Sequence, residues 1–340
     1  MGGCLRGAIL SGGLLLACAA SGREPAALAT VDANDNRTPA GHLVDGVLSL
    51  GIEIGEGDWR PERAMPPNRV LAFRETWHAL TTPGPLIRVR EGTRIEIAWH
   101  NPTDADVYIH GFAAQAGAEP LRDAAHGNAA THLTAANAGT FYYWGTLKPA
   151  AEFSEDRDSQ LVGAFIVDPP GGAANDRVFV IKRLGSVSED VHIGAGYGAW
   201  AINGRSWPDT ERLTYTVGEN VEWRLINASS HRHPFHLHGT YFRVTHQGDG
   251  TRDDAIPPER QQMTVTEAMQ VGSTMTIDWS PQRPGNWLFH CHLLFHVIPE
   301  NRIYEPYWYT DYADLPHDHH MSGLVLGVHA VAGRNTAAAV

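Results

Sequence analysis

The sequence predicts an all-β protein built from two β-sandwiches. From about residue 45 onward, short runs alternate apolar and polar residues, as in "PLIRVREGTRIEIAWHNPT" (85–103) around its Glu-Gly turn. The pattern recurs in "RLTYTVGENVEWRLINAS" (212–229), which again has two strand-like runs around a glycine-containing turn. No segment shows a sustained 3.6-residue period with helix caps. The repeat of one strand–turn–strand unit indicates two similar sandwiches rather than one.

Composition limits the kinds of partner. The chain has 340 residues, enough for two domains with cores of their own. Its 35 glycines and 21 prolines suit many turns between short strands. A formal net charge of −12 argues against nucleic acid or an anionic membrane surface as the main partner. Histidine, with 19 copies unevenly placed, is the unusual component.

The first 18 residues predict an export signal. Arg6 precedes the small and apolar run "AILSGGLLLACAA", which is too short to span a bilayer. The end of that run, Leu15 to Cys18, resembles the lipobox of bacterial lipoproteins. By that resemblance the mature protein is exported to the periplasmic side of a membrane and held there only by a lipid on Cys18. An ordinary cleaved signal and a chance apolar start are the alternatives.

The remaining organisation follows from composition. Residues 19–41, rich in Ala, Asp, Asn and Pro, predict a flexible tether. A first domain is expected over 42–170, with strands at "GTFYYW" (139–144) and "LVGAFIVDPP" (161–170). The Gly- and Ala-rich residues 171–176 are the predicted linker. The second domain then covers 177–335.

Cys291 needs a chemical role. The chain has three cysteines, at positions 4, 18 and 291. If the first two are removed or lipidated with the signal, Cys291 has no partner for a disulfide. A single thiol in an oxidising compartment is exposed to oxidation unless it is protected or used. Metal ligation is the use that its neighbours suggest.

Two histidine-rich stretches divide by strand parity into two groups. Neighbouring side chains of a strand point to opposite faces, so in "HCH" (290–292) the histidines face one way and the cysteine the other. In "HPFHLHG" (233–239), His236 and His238 share a face and His233 lies on the other. With His296 added, two candidate ligand sets result: His233, Cys291 and His296; and His236, His238, His290 and His292.

The two sets favour copper. A His₂Cys set is typical of a blue-copper (type 1) electron-transfer centre, and an all-imidazole set suits additional copper or zinc. The backbone from Cys291 to its neighbours would connect the two. A structural zinc site and ordinary surface histidines are the alternatives. Structural zinc usually takes several spaced cysteines, which this chain lacks.

The two stretches resemble the C-terminal copper motifs of the multicopper oxidase superfamily, whose members include laccases and ascorbate oxidases. "HPFHLHG", "WLFHCHLLFH" (287–296), "GPLIRVREG" (84–92) and "INGRSWP" (202–208) carry the resemblance, which covers about residues 45–330. It implies two cupredoxin-like, Greek-key domains. It also implies that His233, Cys291 and His296 bind type 1 copper, with Cys291 central to catalysis. His236, His238, His290 and His292 would then belong to a trinuclear cluster that reduces oxygen.

The first domain departs from the family pattern. The family completes the cluster with two His-x-His motifs, but here the first reads "VYIHGF" (107–112), with Tyr108 in one ligand position and only His110 retained. The second motif should follow "GTFYY", where Trp144 and Thr146 occupy both positions. Neither residue is a plausible copper ligand. Five of the family's eight cluster histidines therefore remain.

Two further positions follow from the resemblance. The family often uses an acidic residue near the second motif to handle protons, and Asp158 in "DSQLVGAF" is the nearest match. The axial position next to the type 1 copper is displaced, because an insertion precedes "MSGLVLGV" (321–328). This segment aligns Leu324 with the axial residue, with Met321 as the alternative weak ligand.

Two functions remain open at this stage. The first is a copper oxidoreductase that takes electrons from a small-molecule or metal-ion reductant and passes them to a residual histidine-rich copper centre and oxygen. The second is a type 1 electron-transfer or copper-binding lipoprotein without oxygen chemistry, whose partner is a redox protein. A copper nitrite reductase fits less well, because that family has its type 1 cysteine in the first domain. Two-domain members of the superfamily often form the cluster between subunits, which implies a homotrimer.

Overall fold

The computed structural model describes residues 28–112, 119–150, 152–172, 175–185, 198–298 and 321–333. These residues form mostly strands, with two 3₁₀ turns at Pro258–Arg260 and Leu294–His296. The strands are β1 Ala29–Ala33, β2 His42–Val44, β3 Val47–Trp59, β4 Asn68–Glu75, β5 Leu80–Thr82, β6 Ile87–Arg90, β7 Arg94–Asn101, β8 Val107–His110, β9 Leu121–Asp123, β10 Gly127–Thr134, β11 Gly139–Thr146, β12 Val162–Asp168, β13 Asp176–Leu184, β14 Ala199–Ile202, β15 Arg212–Thr216, β16 Val221–Asn227, β17 His233–Leu237, β18 Phe242–Gly248, β19 Asp253–Ala255, β20 Met263–Thr264, β21 Thr266–Met269, β22 Thr274–Trp279, β23 Gly285–Cys291 and β24 Val325–Val331.

Four sheets pack as two sandwiches, so the predicted all-β, two-cupredoxin fold is confirmed. In the first sandwich, the sheet β1-β5-β4-β3-β7-β10 faces the sheet β6-β12-β11-β8-β9. In the second, β14-β13-β16-β22-β18-β19 faces β15-β24-β23-β17-β21. Alternation along β7, where every second residue is buried, is the pattern expected of a strand with one face in a core.

The internal repeat corresponds to equivalent strands. The first-domain copy forms β6 and β7, and the second-domain copy forms β15 and β16. In each domain the first strand of the unit joins the five-stranded sheet and the second crosses to the opposite sheet. The five-stranded sheets contain the predicted ligand positions: β8 and β11 hold those of the first domain, and β17 and β23 hold most of those of the second.

A buried ionic network joins the two domains. Arg88 of β6 binds Asp168 through Nε at 2.9 Å and Asp176 of β13 through Nη1 at 2.7 Å. Arg224 of β16 also contacts Asp176, at 2.5 Å, and donates to Thr140 Oγ1 of the first domain at 2.9 Å. Removing one member would leave a buried charge only partly compensated by the remaining partners. The network therefore holds the sandwiches in one relative position.

The N-terminal region differs from its prediction where it is described. Residues 29–33, within the predicted tether 19–41, form β1, which pairs in parallel with β3 and β5. Val31 is buried in that sheet, which offsets the entropy of ordering the strand. The signal, with Cys4 and Cys18, lies outside the described residues. No helix in the described part of the chain is both long and apolar enough to span a bilayer.

Candidate metal centre

His233, Cys291 and His296 converge on one buried point in the second domain. Their ligand atoms all lie within 4.8 Å of one another. Cys291 Sγ is 3.7 Å from His233 Nδ1 and 3.2 Å from His296 Nδ1, and the two Nδ1 atoms are 3.0 Å apart. A thiolate and two imidazole nitrogens at such separations fit a single copper ion of the type 1 kind.

His233 is held by partners on the side away from Cys291. Its Nε2 hydrogen-bonds Ser229 Oγ at 2.8 Å, and the Ser229 hydroxyl donates to Asn227 Oδ1 at 2.8 Å. The hydroxyl therefore accepts the Nε2–H of His233, which leaves the Nδ1 lone pair directed at Cys291. Such outer partners fix the tautomer that a metal-binding histidine needs.

Aromatic packing surrounds the same point. The Trp200 ring lies 3.9 Å from the ring of His296 and 5.1 Å from that of His233, centroid to centroid. The Phe295 ring is 4.3 Å from His296. His233, Cys291 and His296 have no exposed surface. The aromatic cover keeps water from the thiol and the imidazoles.

Burial sets the protonation states of these three groups. Desolvation lowers the pKa of His233 well below its usual value. It also lowers the pKa of His296 to about 3, with the nearby His231 and Arg183 adding to the effect. Desolvation raises the pKa of the Cys291 thiol to about 12. At neutral pH both imidazoles are therefore available as neutral ligands, and a metal has to displace only the thiol proton.

Two glycines let the backbone close around the site. Gly323 has a φ of +67°, and a Cβ there would lie 2.3 Å from the His296 carbonyl oxygen. Gly239, at the end of "HPFHLHG", has a φ of +83°, and a Cβ would lie 2.3 Å from the Trp287 indole. Both positions need the left-handed conformation and the absence of a side chain.

The segment carrying the two axial candidates runs alongside the ligands. Leu324 is fully buried; its backbone N–H donates to the His296 carbonyl at 3.0 Å, and its carbonyl accepts from Cys291 N at 3.1 Å. Met321 is partly buried and packs against the second-domain core. The backbone pairing fixes Leu324 beside both ligands, whereas Met321 lies three residues earlier in the segment.

The other four histidines of the second domain form a second cluster on the opposite face of β17 and β23. His236 and His290 are paired across the strands. His238 Nε2 lies 3.0 Å from His290 Nε2, and the rings of His236 and His292 are 4.7 Å apart. His238 and His292 are exposed, so this cluster faces the surface while the Cys291 site is buried.

Two of the four imidazoles, those of His236 and His290, are held by a hydrogen bond at Nδ1. His290 Nδ1 donates to the Cys291 carbonyl at 2.9 Å, which also links the two candidate centres directly. His236 Nδ1 hydrogen-bonds Thr266 Oγ1 at 2.9 Å. In both cases Nε2 remains for a metal. Four imidazoles of this kind fit copper or zinc.

The first-domain face is filled differently. In the β8–β11 pairing His110 is opposite Trp144 and Tyr108 is opposite Thr146, so all four side chains lie on one face. The rings of His110 and Trp144 stack at 4.9 Å. His110 Nε2 hydrogen-bonds Thr146 Oγ1 at 2.9 Å, and the Thr146 hydroxyl donates to the Lys148 carbonyl. This face offers one imidazole whose Nε2 is already occupied, so it does not fit a metal by itself.

Asp158 lies at the junction of the domains rather than among the histidines. It is buried, accepts from Leu147 N at 2.8 Å and contacts the Ser154 hydroxyl. Its charge acts on Lys182 of β13, whose pKa burial lowers to about 7, with Asp158 and Glu155 opposing that shift. Asp158 is thereby located beside the Thr146 end of β11.

Several residues around the site were not predicted from the sequence. They are the outer partners Asn227, Ser229 and Thr266, the aromatic Trp200, and His231, which contacts His296. The spacing "HRH" (231–233) has the same two-residue period as the recognised motifs, so His231 could have been noticed. Thr266 and Trp200 come from other strands, whereas Asn227 and Ser229 precede His233 by only a few residues but belong to no recognised motif.

Comparison with known families gives one match within the second domain. Residues 184–300 match the family model described as multicopper oxidase. That interval contains His233, Cys291 and His296 and all four histidines of the exposed cluster.

Relatives and solved structures agree with this match. The chain is 26% identical to a probable nitrite reductase-hydroxylamine oxidoreductase fusion protein of Kuenenia stuttgartiensis over 64% of this chain and 26% of that protein. It is 30% identical to the iron multicopper oxidase fer1 of Mycosarcoma maydis over 37% and 21%, respectively. The chain thus spans about a quarter of the length of these relatives. A blue copper oxidase from Nitrosomonas europaea has the same fold, with a TM-score of 0.61 and 20% identity over 84% of this chain and 85% of that one.

Proposed function

We propose that this chain, whose residues 184–300 match the multicopper oxidase family model, is a copper-dependent oxidoreductase with a type 1 site at His233, Cys291 and His296. The convergence of one thiol and two Nδ1 atoms within 4.8 Å carries this proposal. Bound there, copper would supply one-electron redox chemistry. Leu324 is the proposed axial neighbour, with Met321 as the alternative.

The reductant is proposed to approach beside the 3₁₀ turn that ends at His296. Leu294 and Phe295 of that turn are 61% and 42% exposed, and Phe295 contacts the His296 ring. An exposed apolar patch of this kind suits a small organic reductant or the docking face of a redox protein. A metal-ion reductant is the third candidate and would need polar groups near the same turn.

The acceptor is proposed to be oxygen, reduced at a second centre held by the exposed histidine cluster. The hydrogen bond from His290 Nδ1 to the Cys291 carbonyl supports transfer between the centres over a short covalent and hydrogen-bonded distance. Within the described residues, the imidazole rings of His236, His238, His290 and His292 contact one another. Asp158 is the proposed proton-handling residue, and His110 is the first-domain imidazole proposed to add to the cluster.

We also propose a homotrimer, in which His110 of one subunit lies near the histidine cluster of another. His238 and His292 are exposed, and the stacking partner of His110 is Trp144 of its own domain. A second subunit would bring a first-domain face to this exposed cluster. Export, with a lipid on Cys18 and residence on the periplasmic side of a bacterial membrane, is proposed from the N-terminal sequence.

The second candidate function, electron transfer through the type 1 site alone, is favoured by one observation. Trp144 and Thr146 hold the first-domain imidazole in a stack and a hydrogen bond that leave its Nε2 occupied. An oxidase of this family needs a second centre to collect electrons for oxygen. If the cluster binds no metal, only electron transfer remains.

The copper content of the full chain tests the proposal. The purified, copper-loaded protein is expected to bind roughly two or more copper ions per chain and to show the intense visible absorption of a copper–thiolate bond. Oxygen uptake should follow addition of a reductant. About one copper per chain, with the absorption but without oxygen uptake, would select electron transfer. Absence of the absorption would refute the type 1 site itself.

A further inference from the structure

A cavity of about 690 Å³ lies at the end of the second sandwich where β16 begins and β22 ends. It is at the opposite end of β16 from Asn227, whose side chain holds Ser229 beside the proposed copper ligand His233. No histidine of the described residues lines it. Its volume is in the range of small-molecule sites in proteins. Two carboxylates, one guanidinium, two aromatic rings and one thioether contribute to its wall: Glu222, Asp278, Arg243, Tyr241, Trp279 and Met263.

The charged residues of the wall form a row across three strands. Asp278 of β22 is paired with Glu222 of β16 on one side and with Arg243 of β18 on the other. Side chains directly opposite each other in neighbouring strands share one face of the sheet, with their Cβ atoms about 5 Å apart. Of the charged residues that line the cavity, two are therefore acidic and adjacent, and one is basic.

The two carboxylates are incompletely compensated. The Oδ1 atom of Asp278 is buried and has no hydrogen-bond partner within the described residues. Desolvation raises the pKa of Asp278, and the charge of Arg243 opposes that shift without a hydrogen bond. Arg224 Nη2 lies 3.4 Å from Glu222, but the same guanidinium binds Asp176 through Nε at 2.5 Å. A buried acceptor without a donor is costly, so Asp278 has an unfilled acceptor position at the cavity wall.

Trp279 leaves a donor unmatched at the same cavity. Its side chain is only 5% exposed, and its Nε1 is buried with no acceptor among the described residues. Edge-on contacts with the rings of Tyr215 and Trp223, at 5.2 and 5.1 Å between centroids, hold the indole in place. An indole N–H can only donate. The cavity thus combines an acceptor without a donor and a donor without an acceptor.

The rest of the wall suits a flat apolar group. Tyr241 and Met263 are 61% and 53% exposed, although both are large side chains that can contact a ligand. A tyrosine ring attracts a cation through its π-electrons, and a thioether packs well against flat groups. These two residues therefore add contacts for the body of a ligand whose charged end binds the carboxylates.

We infer that this cavity binds a small planar organic cation, of the amidinium or guanidinium class, whose body carries an oxygen acceptor. The cation pairs with Asp278 and Glu222, the oxygen accepts from the Trp279 indole, and the body contacts Tyr241 and Met263. A planar cation with several N–H donors suits two carboxylates on neighbouring strands better than a single point charge does. This site does not depend on the proposed copper centres.

Isothermal titration calorimetry of the copper-loaded full chain with three matched probes tests the inference. 4-Carbamoylbenzamidinium carries both the cation and the oxygen acceptor. Terephthalamide replaces the cation with a neutral amide of the same shape, and we expect it to bind about 10- to 100-fold more weakly. Benzamidinium lacks the acceptor and should bind about three- to tenfold more weakly. Equal affinities for the three probes, or no binding of 4-carbamoylbenzamidinium, would overturn the inference.

Two variants locate the bound groups. Asp278→Asn keeps the shape of the side chain, and we expect it to weaken binding of 4-carbamoylbenzamidinium by about tenfold or more while terephthalamide is unaffected. Trp279→Phe should remove the advantage of 4-carbamoylbenzamidinium over benzamidinium. Glu91→Gln, at an exposed carboxylate of the first domain, is the matched control and should change neither affinity. Equal losses for Asp278→Asn and Glu91→Gln would show a general attraction to an acidic chain and overturn the site.

Arg243→Gln distinguishes an open carboxylate from one that Arg243 covers in solution. We expect this variant to bind 4-carbamoylbenzamidinium about two- to fivefold more tightly, because a like charge near the bound cation is removed. Binding by the variant together with none by the wild type would mean that Arg243 occupies Asp278, and the inference would be wrong. Circular dichroism checks the folding of every variant, and the comparison of the three probes on the wild type needs none of them.

Discussion

The same pair of strands in the two domains holds very different side chains. In the second domain, β17 and β23 direct four imidazoles to one face. In the first, β8 and β11 direct Tyr108, His110, Trp144 and Thr146 to the corresponding face. Backbone pairing is retained in both, because sheet register depends on turns and buried faces rather than on the exposed ligands. The fold therefore does not determine how many metal ions each domain can hold.

The comparison also shows how a ligand position is closed. Trp144 stacks on His110 and Thr146 binds its Nε2, so the remaining imidazole is satisfied within the sandwich. Burial lowers the pKa of His110 to about 4, which keeps it neutral without a metal. In the second domain, by contrast, His238 and His292 remain exposed at the surface.

Removing the thiol should have the largest effect. Cys291→Ser replaces the thiolate with a hydroxyl that does not ionise near neutral pH, so the copper–thiolate absorption and all redox turnover should be lost. Visible spectra and steady-state oxidation of a reductant measure both. Circular dichroism controls for folding. Turnover that survived in a folded variant would make the type 1 assignment wrong.

The exposed cluster can be tested against the first-domain face. The double variant His236→Ala, His292→Ala should reduce bound copper to about one per chain while the visible absorption remains, because the buried site is separate. His110→Ala should weaken the second centre by at most about tenfold, since its Nε2 is occupied by Thr146. Metal analysis of dialysed protein measures both. A larger loss for His110→Ala would contradict the difference between the domains.

Restoring imidazoles to the first domain is expected to give a smaller gain. The double variant Trp144→His, Thr146→His adds two imidazoles beside His110, which makes three on one face of β8 and β11. We expect roughly one additional copper per chain, because three imidazoles suffice for a copper site. Copper analysis measures the gain, and Trp144→Phe with Thr146→Val serves as control. No gain over the control would mean that the face is too crowded for metal.

The junction of the domains should show the smallest effect, on stability. Burial lowers the pKa of Lys182 to about 7 in the folded protein, from its ordinary value of 10.5 in the unfolded chain. Between these values the unfolded chain binds the additional proton, so the free energy of unfolding should rise with pH, by about 1 kcal/mol per unit. Below pH 7 Lys182 is protonated in both states, so the free energy of unfolding no longer changes with pH through this group and is at its lowest.

Lys182→Met removes that dependence. The variant should be more stable than the wild type near pH 6, and the difference should shrink as pH rises toward 10. Urea denaturation at several pH values measures it, and Lys148→Met, at an exposed lysine of the same junction, is the control. A difference that does not vary with pH would mean that Lys182 stays charged in the folded protein.

The sequence by itself determined the two-sandwich fold and the division of the histidines into two groups. Both follow from a two-residue period, which is a local property of strands and can be read from "HCH" and "HPFHLHG" without coordinates. The tyrosine, tryptophan and threonine of the first domain were also visible as departures from the family motifs.

Tertiary structure alone decided what surrounds these groups. Residues 29–33 form a strand instead of a tether because β3 and β5 pair with them. Ser229 contacts His233 from the turn between β16 and β17, Trp200 packs on His296 from β14, and Glu155 of the first domain lies beside His231. Hydrogen bonds between residues far apart in the chain depend on how the sandwiches pack, and no local pattern encodes them.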